Sequence, residues 1–253
     1  MERETKIKII GTGIFIILLL GLSYLVYHSN KIDRINIIES VKVTGNELLS
    51  ENEYLTFTRL HDLSNENKFS LPVIKSRFEK HPYVLKADVK FINEKEVKVY
   101  LAEKRIYGII IQDSEAFFAS EGFEVLPVFQ NTKILEIPVL SNINETNLKA
   151  LIKLKSKDII QAYKIVDAAG LTNAKMLKDL AEINLRKGGD VVLTFSGLNV
   201  PVIFGRNNEP EKLVSLEALL NNNLINSLFS KSDYIDLRFY NDIYIGKTQR
   251  VEL

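Results

Sequence analysis

The spacing of hydrophobic positions changes several times along this chain, and each change marks an element. The first run is continuous. Residues 9–27, IIGTGIFIILLLGLSYLVY, carry no charge. At about 1.5 Å of rise per residue this stretch approaches the thickness of a hydrocarbon layer, so one transmembrane helix is predicted over residues 9–28. A cleaved leader would have a shorter apolar core and small residues at its cut site, and Tyr24, Leu25, Val26, Tyr27 and His28 form no such site. Tyr24, Tyr27 and His28 suit a membrane interface instead. Arg3, Lys6, Lys8 and the terminal amine precede the span, while Lys31 and Arg34 follow it. That slight bias places residues 1–8 in the cytoplasm and the bulk of the chain outside.

Beyond the polar joint at residues 31–36, Ile38, Val41 and Val43 read as a strand that stops at the turn Gly45-Asn46. Ser50 with Glu53 makes a capping box ahead of Tyr54, Leu55, Phe57 and Leu60, which predicts a helix. Ser70, Leu71 and Pro72 open a second helix, carried by Val73, Ile74 and Phe78 up to His81-Pro82. Two alternating runs follow, Leu85, Ala87, Val89, Phe91 and then Val97, Val99, Leu101, with a turn at Asn93, Glu94 and Lys95. Strand, helix, helix, strand, strand over residues 37–104 can close a three-stranded sheet with both helices on one face.

Residues 105–253 restart with a strand over 107–111. A hairpin is expected where Phe117, Phe118 and Ala119 meet Phe123, Val125 and Leu126 across Ser120, Glu121 and Gly122. Helical spacing is read between 141 and 169, on Leu148, Leu151, Ile152 and then Ile159, Ile160, Tyr163, Ile165 and Val166, with Gly170 as a stop. Short apolar runs at 183–186, 191–195 and 200–204 suggest an antiparallel meander. A last helix over 210–221 carries Leu213, Leu216, Leu219 and Leu220 on one face, and two strands, 234–239 and 243–245, close the chain. The fold class is therefore α+β: a membrane helix, a β-α-α-β-β module, and a mostly antiparallel β domain with flanking helices.

Charge and chemistry narrow the function. Lys plus Arg, 33, nearly equals Asp plus Glu, 32, so no basic field would gather nucleic acid or an anionic small-molecule substrate. Cysteine is absent, which excludes thiol nucleophiles and thiolate metal sites, and His28, His61 and His81 are scattered. No cofactor or metal is expected. Gly11 and Gly13 lie inside the apolar run, where helix packing is their simplest use. Gly188, Gly189 and Asp190 read as a hairpin turn, and Ser196 has no histidine after it to serve as a base. Asp113, Glu115, Glu121 and Glu124 cluster around a hairpin and could in principle pair for glycan hydrolysis, although a solvated hairpin explains them more simply.

Several stretches in order resemble the FtsQ/DivIB family of bacterial division proteins: SVKVTGN after the span, HPYVLKADVKF with VKVYLAEKRIYGII, ASEGFEVLP followed by IPVL, and VPVIFGRNNEPEKLVSLEALL with YIDLRFYNDIYIG. The resemblance covers nearly the whole chain and implies a POTRA module at residues 37–104 and a β domain at 105–253. It also implies an inner-membrane septal protein that works by binding others, FtsB and FtsL first among them, and that helps to recruit and regulate septal peptidoglycan synthesis. The rival readings are an envelope assembly or secretion protein built on a POTRA module, and a membrane-anchored carboxylate hydrolase of the cell wall.

In the family a partner strand adds to the edge of the last strand, here Ile243, Tyr244 and Ile245, with Lys247 beside it. A terminal strand exposes unpaired amides and carbonyls, and this one has few of the charges that blunt an edge. Arg238 and Phe239, matching the family's DLR-aromatic motif, with Tyr240 and Asn241, would flank that edge. There Arg238 would clamp a partner carboxylate, or else form a structural ion pair with Asp236. Lys212, Leu216 and Leu220 of the preceding helix would complete the groove.

Overall fold

A computed structural model describes residues 2–30, 38–61, 63, 69–144, 148–222, 229, 232–239 and 242–247, with the side chains of 2–11 and 28–30 not described. Helix α1 spans Glu2–Asn30. Every described side chain along it, residues 12–27, is exposed, including Ile14, Phe15, Leu18 and Leu22. Among the described residues no helix is long and apolar enough to cross a membrane. The flanking charges Arg3, Lys6, Lys8, Lys31 and Arg34 and the side chain of His28 lie outside the description.

A small sheet follows, built from β1 (Ser40–Thr44), α2 (Glu51–Thr58), α3 (Leu71–Glu79), β2 (Val84–Phe91) and β3 (Glu96–Glu103). Its order is β1-β3-β2, with β1 parallel and β2 antiparallel to the central strand. The local signals act as the sequence suggests. The Ser50 hydroxyl accepts from the Glu53 amide while the Glu53 carboxylate accepts from the Ser50 amide at 3.1 Å, closing the capping box. Arg59, at φ 57°, ends α2. Val97 and Val99 of β3, Tyr54 of α2 and Ile74 and Phe78 of α3 are fully buried between sheet and helices.

The remaining strands are β4 (Ile106–Gln112), β5 (Glu115–Ser120), β6 (Glu124–Pro127), β7 (Val139–Ser141), β8 (Leu180–Asn184), β9 (Val192–Phe195), β10 (Val202–Ile203), β11 (Tyr234–Asp236) and β12 (Tyr244–Gly246). They form a sheet in the order β12-β11-β10-β9-β8-β7-β4-β5-β6. It is mixed: β4–β7, β7–β8 and β10–β11 pair in parallel, and the other five neighbouring pairs are antiparallel. Among the described residues, the helices α4 (Lys157–Thr172), α5 (Ala174–Asp179) and α6 (Glu209–Leu220) accompany it. Helix α4 packs on both α5 and α6, and its Ile159 and Ile165 are fully buried in the core.

The helical spacing read from 141 onward is only partly realised. Leu151 and Ile152 do not join α4; they run along β6, where the Leu151 amide donates to Val125 O and the Val125 amide to Ile152 O. Leu148, Leu151 and Ile152 fall at helical spacing, but this segment instead supplies the main-chain partners that the edge of β6 would lack. Ser156 then caps α4, its hydroxyl accepting from the Ile159 amide. Gly170 does not stop that helix, which continues to Thr172.

The two sheets share a seam. Phe118 and Leu126 of the large sheet belong to the same core as Tyr54 and Phe78. Tyr83, fully buried, donates its hydroxyl to Pro127 O at 2.9 Å and accepts from the Phe129 amide at 3.2 Å. A side chain of the turn that leads into β2 therefore ties down the loop leaving β6.

Candidate functional site: the free edge of the large sheet

The two ends of the large sheet are treated differently. At one end β6 is covered by residues 151–154. At the other end β12 pairs with β11 on one side only, in the register Asp236↔Tyr244, Ile235↔Ile245 and Tyr234↔Gly246. Among the described residues nothing pairs with its outer side; residues 248–253 lie outside the description. At Gly246, opposite Tyr234, a Cβ would meet the far end of the tyrosine ring, which would have to shift.

Beside this edge Arg238 is firmly held. Its Nε lies 3.0 Å from Asp236 Oδ1, its Nη2 2.6 Å from Asp236 Oδ2, and its Nη1 2.8 Å from Asp190 Oδ2. The ion pair with Asp236 is thus formed, and the guanidinium reaches a second carboxylate rather than standing free as a clamp. Burial alone would raise the Asp236 carboxyl, but the hydrogen bonds and charge of Arg238 outweigh it and hold the group below its ordinary range. The same hydrogen bonds, to Asp236 and then Asp190, raise the Arg238 guanidinium above its ordinary value.

Gly205 makes this placement possible. It sits at φ 67°, and a Cβ there would fall 2.8 Å from Arg238 Cγ. The next aromatic, Phe239, meets Tyr244 edge to face at 4.8 Å between ring centroids, and both rings are about half exposed at 51% and 52%. Phe239 and Tyr244 therefore present an apolar pair on the rim of the bare edge.

A cleft of about 300 Å³ runs between this rim and the start of α6, lined by Arg206, Asn208, Lys212, Arg238, Phe239 and Ile243 among others. Its walls are braced from behind. The Lys212 ammonium donates to Phe204 O at 2.9 Å and to Arg206 O at 3.1 Å, and its burial lowers its proton affinity. The Arg206 guanidinium donates to Gly189 O and to the buried carboxylate of Asp158.

The structure sorts the residues expected here. Arg238, Phe239, Ile243, Tyr244 and Ile245 come together at the edge, with exposed Lys247 next to β12. Lys212 lines the cleft but spends its ammonium on backbone carbonyls. Leu216 is fully buried in the core, so its place in the groove is corrected: it holds α6 to the sheet. Leu220 belongs to a separate cleft of about 330 Å³ with Asn173, Phe195 and Phe229. Tyr240 and Asn241 lie outside the described residues. Sequence reasoning missed Asp190 as a partner of Arg238, a contact across 48 positions, and the steric role of Gly205.

Other candidate chemistry is occupied with structure. His81 sits among Tyr54, Phe57, Tyr83 and Phe129, its Nδ1 accepting from the Tyr83 amide at 3.1 Å. Burial, aided by Lys104, pulls its pKa down to about 4. Glu124 pairs with Lys104 at 2.7 Å, and Glu121 accepts from the Arg105 amide. Among the described residues no group of three or more His, Asp or Glu is placed to hold a metal ion.

No protein-family model matches the chain. It is similar to the cell division protein FtsQ of Syntrophotalea carbinolica, with 21% identity over 199 residues that cover 79% of this chain and 70% of that protein. The resemblance to the FtsQ/DivIB family therefore extends, at a distance, over most of the sequence.

Proposed function

We propose that this chain is a non-enzymatic scaffold of the bacterial division machinery, an FtsQ-like protein anchored by α1 and working through the free edge of β12. The observation that carries the reading is the contrast between the two ends of the large sheet. One is covered by its own chain; the other has no strand on its outer side among the described residues and is flanked by Phe239 and Tyr244 and by a cleft. An extended partner segment would satisfy the open backbone groups of β12 and lay alternate side chains on the aromatic rim and in the cleft. The family resemblance supports FtsB as the protein that supplies this strand, with FtsL alongside it.

In this reading residues 38–104 serve as the POTRA module, and residues 105–253 as the partner-binding domain. The uncharged sequence run 9–27 and the exposed apolar surface of α1 support a single anchor in the inner membrane, with the bulk of the chain on the outer side of that membrane at the septum. Arg238 then acts as the rigid back of the binding edge, fixed by Asp236 and Asp190.

The test is a titration of the full chain in detergent micelles with FtsB from the same organism. Wild type binds; Ile245→Pro, which removes the backbone donor of β12 that faces away from β11, loses binding while its circular dichroism is unchanged. Equal binding by the variant would reject strand addition at this edge.

A further inference from the structure

We propose that the tip of the β2–β3 hairpin, Phe91 and Ile92, rests in the interfacial layer of the lipid bilayer beside the end of α1. This rests on the reading of α1 as a membrane anchor and adds a second, membrane-facing contact to it.

Chain length sets the first constraint. Residues 31–37 connect Asn30 of α1 to Ile38, where the description resumes. Fully extended, such a connection reaches at most roughly 28 Å. The hairpin tip is fastened at the point of arrival: the amides of Glu39 and Ser40 both donate to Lys95 O, at 2.8 and 3.3 Å, and the Lys95 ammonium meets the Glu39 carboxylate at 2.5 Å. Any anchor at α1 keeps this end of the small sheet near the bilayer.

The tip also has the right surface. Phe91 lies in register with fully buried Val97, on the core face of the sheet, yet remains 39% exposed, and Ile92 beside it is 51% exposed. Their placement is rigid. Asn93 Oδ1 accepts from the amides of Lys95 and Glu96 at 3.0 and 2.9 Å, and the Ile92 amide donates to Glu96 O. This turn displays an apolar pair at the end of the module that faces the tether.

Charge decides what kind of contact it is. Lys42, Lys90, Lys95 and Lys98 at this end are matched by Glu39, Asp88, Glu94 and Glu96, and three ion pairs are formed: Lys42–Glu96, Lys90–Asp88 and Lys95–Glu39. A balanced surface gives no net attraction to anionic headgroups. The apolar pair suits the interfacial zone of any fluid bilayer.

The protein has no tryptophan, so Ile92→Trp supplies a unique probe. The full chain is reconstituted into phosphatidylcholine vesicles with ordinary or brominated acyl chains, and Phe91→Trp serves as a second probe. The control is Ile134→Trp, at a 99% exposed position near Leu48, beyond the far end of β1. The proposal expects tryptophan at 92 to lose about half its emission in brominated vesicles, with no loss at 134. Position 92 behaving like 134, or quenched only when phosphatidylglycerol is added, overturns it. A chain that alkaline carbonate strips from the vesicles refutes the anchor itself, and the tip contact with it.

Discussion

The guanidinium of Arg238 holds the carboxylate of Asp236, two residues back on the same chain, with Nε 3.0 Å from Oδ1 and Nη2 2.6 Å from Oδ2. Because Asp236 is buried and lies opposite Tyr244 in the edge pair, this contact couples the shape of the edge to a single ion pair. Asp236→Ala is expected to cost about 2–3 kcal/mol, since it leaves charge-assisted hydrogen bonds unmade, and urea denaturation measures the loss.

The same pair sets a pH dependence. The folded Asp236 carboxyl lies below its ordinary value of 3.8, so its contribution is complete above that value and disappears as pH falls through the folded one. Acid denaturation below pH 3.8 should therefore show a component that Asp236→Asn removes. Overlapping acid limbs for the two proteins would contradict the assignment.

His81 gives a second window. Its pKa falls from 6.5 to about 4 on folding, so the unfolded chain takes up a proton in that range and the folded chain does not. Stability is complete above pH 6.5 and declines toward pH 4, by at most about 1.4 kcal/mol per unit. An NMR titration of the His81 ring with a midpoint near 6.5 would contradict the buried, neutral state.

The seam between the sheets hangs partly on one hydroxyl. Tyr83→Phe removes the hydrogen bonds to Pro127 O and from the Phe129 amide without changing the packed ring, and is expected to cost about 1–3 kcal/mol. Hydrogen exchange should then quicken in residues 127–132 ahead of either sheet core.

Gly205 is expected to tolerate no side chain. Gly205→Ala places a Cβ at φ 67° against Arg238 Cγ, and the predicted effect is a loss of about 1–2 kcal/mol in stability together with weaker partner binding. Binding unchanged in a folded variant would show that the Arg238 brace does not shape the edge.

How far the sequence reveals this molecule depends on the range of the interaction concerned. The small sheet was legible because its signals are local: Ser50 and Glu53 are three apart, Gly45 ends β1, and alternation marks β2 and β3. The strand β7 and the helix α5, three and six residues long, are too short for a period to show, and their existence depends on neighbours distant in sequence. Leu148, Leu151 and Ile152 carried a helical spacing, but the open edge of β6 used part of that segment otherwise. At the candidate site the terminal strand was readable from its composition. The fate of Arg238 was not, because Asp190 and Gly205 reach it only through the folded sheet. Leu216 and Leu220 share a helix spacing, and only packing shows that one is core and the other lines a different cleft.

The central claim is that β12 takes a partner strand, and hydrogen exchange of the full chain in lipid nanodiscs, with and without FtsB from the same organism, tests it most directly. The account predicts that the main-chain amide of Ile245, which faces away from β11, slows in the complex, while those of β6, already bordered by residues 151–154, do not change. Binding that leaves the β12 amides exchanging as in the free chain would contradict it.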